Sequence, residues 1–112
     1  MADFSQPRNL LGGHIVSAMI GVTVFMLIKE PALASAAAVS LAIMAMHLTR
    51  TLHPPGGATA LIAVIGGDKV HALGYTYVLF PVLVGSLIML LIALLVNNLS
   101  TNPKRHYPTY WH

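Results

Sequence analysis

Charged residues are scarce in this chain of 112 residues, and cysteine is absent. Six side chains are Lys or Arg and three are Asp or Glu, together 8% of the chain, whereas 56% of the residues are apolar. Without cysteine the chain can form no disulfide, thiolate centre or zinc–thiolate site. Soluble domains are usually about 25% charged, because charged side chains are needed to cover their surface. The composition therefore predicts an integral membrane protein.

Carboxylates are the rarest of the charged groups. The only ones are Asp3, Glu30 and Asp68, all in apparent loops, so no two of them can share general acid and general base roles. The six histidines have no compact paired spacing for a metal, and no Gly-x-Ser-x-Gly nucleophile element is present. We therefore expect no enzyme activity, no metal site and no cofactor.

The basic residues also form no continuous face. They are scattered at positions 8, 29, 50, 69, 104 and 105. A phosphate backbone needs a basic stripe, so we expect no nucleic-acid partner. Basic residues that flank apolar runs are typical of membrane proteins. The expected surroundings are the lipid bilayer.

The apolar residues form four segments within one predicted domain, residues 1–112. The segments cover residues 10–28, 32–48, 56–67 and 72–99, between a polar start (residues 1–9) and a basic, aromatic tail (residues 100–112) suited to the headgroup region. A spanning helix needs about 20 residues. The first, second and fourth segments meet that length and the third does not. We predict an all-α membrane fold with three full spans plus a Pro/Gly-initiated half-helix or short fourth span.

The basic residues favour one orientation of this fold. If the third segment crosses, Arg8, Arg50, Lys104 and Arg105 lie on one side, against Lys29 and Lys69 on the other. If it re-enters, the two sides carry three each. The positive-inside rule therefore favours a crossing, with both termini in the cytoplasm and the chain multi-pass in the cell (inner) membrane.

Small residues recur at four-residue spacing on two predicted helices. They are Gly13, Ser17 and Gly21 on the first and Ala34, Ala38 and Ala42 on the second. Such rows let helix backbones approach closely in a bilayer, where no hydrophobic force drives helices together. We interpret both rows as packing surfaces.

The junction before the third segment is the best candidate for a binding site. Pro54 and Pro55 break the helical pattern and favour a new helix that begins near Gly56. Free N–H groups at a helix start carry partial positive charge, and Gly56 and Gly57 have no side chains to cover them. These features suit a small anion.

Polar side chains extend this candidate site. Arg50 would supply a fixed charge, and His53 and His14 would be donors that titrate near neutral pH. The predicted substrate-binding residues are Arg50, Thr51, His53, Pro54, Pro55, Gly56, Gly57, Ala58 and Thr59, with His14, Arg8 and Asn9.

Structural alternatives are open for the same residues. The junction can be a turn at the membrane surface, with Arg50 reaching lipid phosphates, and His14 can be an interfacial histidine bonded to a backbone carbonyl. The short third segment favours a functional role, because a surface turn does not explain it.

Three blocks of sequence resemble the HPP family of integral membrane proteins. They are Thr49-Arg50-Thr51-Leu52-His53-Pro54-Pro55-Gly56-Gly57-Ala58-Thr59-Ala60-Leu61, then Gln6-Pro7-Arg8-Asn9 with Gly12-Gly13-His14, and the ending Leu95-Val96-Asn97-Asn98-Leu99 with Tyr107-Pro108 and Trp111. Members are described as four-helix membrane proteins, and characterised ones are implicated in nitrite transport. The resemblance implies a transporter or channel for a small monovalent anion, foremost nitrite. The alternative is a membrane scaffold or regulatory module, or one half of a multi-chain transporter.

The chain also departs from the family pattern. Members usually carry another apolar helix before the Gln-Pro-Arg-Asn block, which here begins at residue 6. We therefore expect the chain to hold about two-thirds of the usual domain. A homo-oligomer or a companion chain would then complete the path.

Overall fold

The computed structural model describes residues 3–99 and 106–110 of the chain, and within them it contains helices and no strands. A 3-10 turn, Asp3–Ser5, precedes the main helices. The helices are α1 (Pro7–Leu27), α2 (Pro31–Leu48), α3 (Pro55–Ile65), α4 (Asp68–Leu73) and α5 (Val84–Asn98), with a π-helical segment, Val78–Leu83, directly before α5. Three stretches are long and apolar enough to cross a membrane: Pro7–Leu27, Pro31–Leu48 and Val78–Asn98. The predicted all-α membrane fold, three spans plus a shorter apolar helix, is confirmed.

Proline begins each of the first three helices. Pro7, Pro31 and Pro55 stand at the first helical position, where the missing N–H would have had no intrahelical acceptor. At α2 the Glu30 carboxylate accepts the N–H of Leu33 at 2.6 Å, which satisfies one of the free donors of that helix start. The chain therefore passes from α1 to α2 through only three residues, 28–30, the last of which caps α2.

The small-residue row of α1 lies against α3 at very close range. A Cβ built on Gly21 would lie 2.6 Å from the carbonyl oxygen of Ala60, and one built on Gly56 would lie 2.7 Å from the hydroxyl of Ser17. Side chains larger than hydrogen do not fit at either glycine without separating the helices. The predicted packing role of this row is confirmed.

The alanine row of α2 packs into the same core. Ala34, Ala38 and Ala42 are almost completely buried and form one cluster with Ala60 and Val64 of α3. Methyl groups at this spacing let α2 lie close to α3, as the sequence predicted. Helices α1, α2 and α3 therefore form the compact part of the bundle.

Helix α3 begins inside the bundle. Its first turn contacts α1 at Gly13 and Ser17, which lie about 10–15 Å along α1 at a rise of 1.5 Å per residue. Its last turn reaches Val24, near the end of α1, because Val64 packs in the same cluster as that residue. The predicted half-helix is thus present, and the residues 49–54 before it cover the remaining depth. We call residues 49–54 the junction.

The fourth apolar segment is not one continuous helix, in contrast to the prediction of a single element over 72–99. Helix α4 already begins at Asp68 and ends at Leu73, and Gly74 follows with a left-handed φ of 55°. Phe80 is extended (φ −145°, ψ 125°) because the ring of Pro81 disfavours a helical conformation in the residue before it. The regular helix resumes at Val84.

The two ends of the described chain meet at one end of the bundle. The Tyr107 hydroxyl donates to the carbonyl of Ser5 at 2.7 Å, and the Thr109 N–H donates to Oε1 of Gln6 at 2.6 Å. We call this the terminal end, and the opposite end, with the Lys29–Glu30 turn and Asp68, the turn end. Both ends of the described chain therefore lie at the same end of the bundle, as a short crossing at α3 requires.

The predicted tail differs from expectation at Tyr107. This side chain is buried in a cluster with Leu10 and Leu90, and so does not lie among lipid headgroups. Its hydrogen bond to Ser5 draws it onto the start of the chain. Residues 100–105 and 111–112 of the predicted tail, including Lys104, Arg105 and Trp111, lie outside the described residues.

We expect Gly21→Ala to lower the thermal stability of the protein. The new Cβ would lie 2.6 Å from the carbonyl oxygen and 2.9 Å from the Cα of Ala60, so α1 and α3 must separate. Overpacking of this kind costs about 1–3 kcal/mol. Gly85→Ala is the matched control, because no atom lies within 4 Å of its added Cβ. Thermal unfolding in detergent, followed by circular dichroism, measures both. Equal unfolding temperatures for the two variants would contradict this packing.

Candidate functional site

The first turn of α1 holds the junction in place. Nδ2 of Asn9 donates to the carbonyl of Leu52 at 2.6 Å, and Nη2 of Arg8 donates to the carbonyl of Thr49 at 3.3 Å. Backbone groups without helical partners are costly in a membrane unless protein groups satisfy them. The two motifs that the sequence singled out, 43 residues apart at Asn9 and Leu52, are therefore in direct contact.

Two buried histidines meet between α1 and the junction. The ring centroids of His14 and His53 are 4.9 Å apart, with the rings inclined at 63°, and each residue is 7% exposed. Nδ1 of His53 lies 2.6 Å from the carbonyl oxygen of Phe4 and must donate to it, because a carbonyl has no proton to give. With Nδ1 engaged in this bond, Nε2 is the ring nitrogen of His53 that remains for a further contact.

His14 has one partner and one nitrogen without any. Its Nδ1 lies 2.7 Å from the hydroxyl of Thr59, whereas its buried Nε2 has no hydrogen-bond partner among the described residues. The alternative of an interfacial histidine bonded to a backbone carbonyl does not describe this residue. Burial of an unpaired polar group costs about 1–3 kcal/mol, which marks His14 as a candidate for ligand contact.

His14 and Thr59 line a pocket of about 310 Å³. Its opposite wall is formed by the π segment and α5, through Pro81, Val82, Gly85, Ser86 and Met89. The pocket thus lies between α1, α3 and the last span. Apart from His14, Thr59 and Ser86 its lining is apolar, so a polar ligand would find its hydrogen-bonding groups on one side.

The start of α3 differs from the prediction of free N–H groups. The Gly56 N–H donates to the carbonyl of His53 at 2.7 Å, and the Gly57 N–H donates to that of Pro54 at 3.0 Å. Pro54 and Pro55 have no N–H to offer. The donors expected to face an anion are therefore occupied within the junction. The physical role that the structure gives to Gly56 is close packing against Gly13 and Ser17.

The predicted site residues fall into two groups. Asn9, His14, Thr51, His53, Gly56, Gly57 and Thr59 are buried together in the bundle, and Arg8 is half-buried beside them. Arg50, Pro54, Pro55 and Ala58 are exposed. Arg50 follows the last turn of α2 with a left-handed φ of 57°, next to the carbonyl that Arg8 binds. That any of them binds substrate stays a prediction.

Charge is distributed unevenly between the two ends. Arg8 and Arg50 lie at the terminal end, whereas at the turn end each of the two lysines is next in sequence to a carboxylate, Glu30 or Asp68, so that the described charges there balance. Within the described residues no three His, Asp or Glu side chains are close enough to hold a metal ion. The positive end of the bundle is thus the end nearer to the two buried imidazoles.

Sequence reasoning missed two aromatic residues. Tyr77 is 3% exposed and its hydroxyl donates to the carbonyl of Thr59 at 2.8 Å. His71 stacks on Phe25 at a centroid distance of 3.7 Å, and its Nε2 donates to the carbonyl of Val64 at 2.7 Å. His71 therefore caps the last turn of α3. A tyrosine within an apolar segment was the available signal for Tyr77, whereas nothing in the spacing indicated the Phe25 contact.

We expect Asn9→Ala to loosen the junction. The substitution removes the 2.6 Å bond to the Leu52 carbonyl and leaves that oxygen without its side-chain donor, at a cost of about 1–3 kcal/mol. Hydrogen exchange at the amides of residues 49–53 should accelerate. Asn97→Ala is the control, since Asn97 bonds only within its own helix, to the carbonyl of Ala93. Unchanged exchange in the Asn9 variant would show that the hydrogen bond from Asn9 to Leu52 is not needed to hold the junction.

Comparison with known proteins agrees with this architecture. The family model for the HPP transmembrane region matches residues 1–108. Two transmembrane proteins of Dictyostelium discoideum are 49% and 50% identical over 114 aligned residues, which cover 98% of this chain and 36% and 39% of theirs. The chain thus spans less than two-fifths of the length of these curated relatives, and no solved structure matches it. Because the match extends from the polar start to beyond the last span, the chain belongs to the HPP family of transmembrane proteins.

Proposed function

We propose that the protein is a transporter or channel for a small monovalent anion, foremost nitrite, and that the anion passes the His14–His53 pair. The observation that supports this most directly is the buried His14, whose Nε2 has no partner among the described residues and which lines an open pocket of about 310 Å³ between α1, α3 and the last span. Ionisable groups at such positions commonly mark substrate pathways.

The hydrogen bond to Thr59 prepares His14 for an anion. When the Thr59 hydroxyl donates to Nδ1 of His14, the neutral imidazole carries its proton on Nε2. An N–H at that atom is a donor without an acceptor, and a nitrite oxygen supplies the acceptor. Binding therefore satisfies a group that is otherwise unpaired.

The charges at the terminal end attract the anion before it reaches the histidines. Arg8 and Arg50 lie there, away from the described carboxylates, and fixed charges at an entrance raise the local concentration of a counter-ion. The apolar wall opposite His14 keeps binding weak enough for release, as conduction requires. A positively charged entrance and an interior with few polar groups favour passage of the anion over its tight binding.

The choice of nitrite comes from the family resemblance. Nitrate, formate and bicarbonate present similar acceptor oxygens to the same donors, so the site chemistry alone supports the class of small monovalent anions. The assay below, repeated with nitrate, formate and bicarbonate in place of nitrite, would compare these anions.

The greater length of the two relatives favours a second function. The matched region is only 36% and 39% of the two relatives, so the chain can serve as one part of a larger transporter, or as a scaffold for a companion chain. In that case purified protein would fold without transporting. The same assay distinguishes the two proposals.

The test is anion flux into proteoliposomes that contain the purified chain. We expect saturable nitrite uptake and at least a tenfold loss in Arg50→Gln, because the entrance loses a fixed charge. Lys69→Gln is the matched control, since Lys69 is equally exposed but follows α3 at the turn end. Flux no greater than in empty liposomes, with the protein shown to be folded, would overturn autonomous transport and favour the companion-chain proposal.

His14 provides a second variant in the same assay. His14→Phe keeps an aromatic ring but removes Nε2, and we expect nitrite uptake to fall to the level of empty liposomes. His47→Phe is its control, because His47 is exposed at the end of α2. Equal loss in both variants would mean that the His14 pocket is not the path.

A further inference from the structure

Two cavities lie one behind the other along α1. The first is the pocket at His14. The second, about 240 Å³, lies nearer the turn end, and its lining residues are Val22, Phe25, Met26, Ala63, Val70, His71 and Gly74. A cluster of buried apolar residues, which we call the apolar layer, joins the linings of the two cavities. Its members are Ala18, Val22, Ala63, Tyr77 and Val82, of which Val22 and Ala63 line the second cavity and Val82 lines the first.

Tyr77 is the largest side chain of that layer. Its hydroxyl bonds to the carbonyl of Thr59, a residue that lines the first cavity, and its ring packs in one cluster with Val22 and Ala63, which line the second. The remaining members of the layer are alanine and valine, which are too small to fill the same space. Tyr77 is therefore the bulkiest group that contacts residues of both linings.

The segment that carries Tyr77 is irregular on both sides. Gly74 has a left-handed φ of 55°, and no atom lies within 4 Å of a Cβ added there. Phe80 is extended. The N–H groups of Tyr77 and Val78 donate to the carbonyls three residues back, at Gly74 and Tyr75. Rotation of this short segment would disturb few regular helical hydrogen bonds.

We propose that Tyr77 is the barrier of the permeation path, and that an anion leaves the His14 pocket toward the turn end only when this ring moves out of the apolar layer. The proposal rests on the proposed function, because it assumes that an ion crosses. Thr59 connects the two events, since its hydroxyl bonds His14 and its carbonyl bonds Tyr77. A change in the contact between His14 and Thr59 when an anion binds would therefore act directly on the residue to which Tyr77 bonds.

The absence of native cysteine allows a test that does not depend on the substrate. Ser86→Cys is nearly isosteric and places the only thiol in the lining of the first cavity. A negatively charged, membrane-impermeant methanethiosulfonate is added outside proteoliposomes. Separate samples with Lys29→Cys, exposed at the turn end, give the fraction of molecules whose turn end faces outward.

With Tyr77 present, we expect no labelling of Ser86→Cys through the turn end. In Tyr77→Ala the labelled fraction should rise by the fraction that Lys29→Cys reports, because the two cavities then join. Tyr75→Ala is the matched control: this tyrosine is two residues away and exposed, and it bonds Thr23. It should leave labelling unchanged.

Two further variants keep the test decisive if Tyr77→Ala fails to fold. Tyr77→Leu retains an apolar side chain in the layer and should give a smaller increase in labelling. Tyr77→Phe retains the ring and should keep the barrier closed in the resting protein. No increase in a folded Tyr77→Leu or Tyr77→Ala protein would overturn the barrier.

The outcomes separate this proposal from the proposed function. Nitrite flux in the native chain without any gain of labelling in the Tyr77 variants would sustain transport and reject Tyr77 as the barrier. A gain of labelling in a chain that carries no nitrite would support the barrier and reject autonomous nitrite transport.

Discussion

The near-contact of the α1 and α3 backbones is the constraint on which the rest of the structure depends. At Gly21 and Gly56 the two helices approach so closely that a single added methyl group would meet backbone or buried side-chain atoms. With α3 held against α1 in this way, the junction has no route except along the first turns of α1. That route brings Leu52 to Asn9 and His53 to His14. The site is therefore a consequence of helix packing more than of local sequence.

Irregular backbone inside the bundle is stabilised by side chains from distant parts of the chain. The Leu52 carbonyl is satisfied by Asn9, the Phe4 carbonyl by His53 and the Val64 carbonyl by His71. Non-helical backbone at membrane depth is tolerated only where protein groups or water provide partners. Several of the polar residues in this apolar chain are thus structural donors, and His14 differs from them because its second nitrogen is buried without a hydrogen-bond partner among the described residues.

Much of the fold was predictable from particular residues. Pro54 and Pro55 marked the start of the half-helix, and the spacing of Gly13, Ser17 and Gly21 identified the packing surface, because both features express local rules. The occupied N–H groups of Gly56 and Gly57 were not predictable, since they depend on how tightly the junction turns. Nor was the contact of Tyr77 with Thr59, which depends on the break at Phe80 and on the depth at which the last span returns.

The meeting of Ser5 with Tyr107 has a consequence for the longer members of the family. In a protein that shares this fold, polypeptide preceding and polypeptide following the membrane unit emerge side by side at one end of the bundle, within one side-chain length of each other. In a longer member that carries polypeptide on both sides of the unit, the two flanking regions would therefore begin next to each other. The membrane unit would then hold the two flanking regions of one chain, which are far apart in sequence, next to each other.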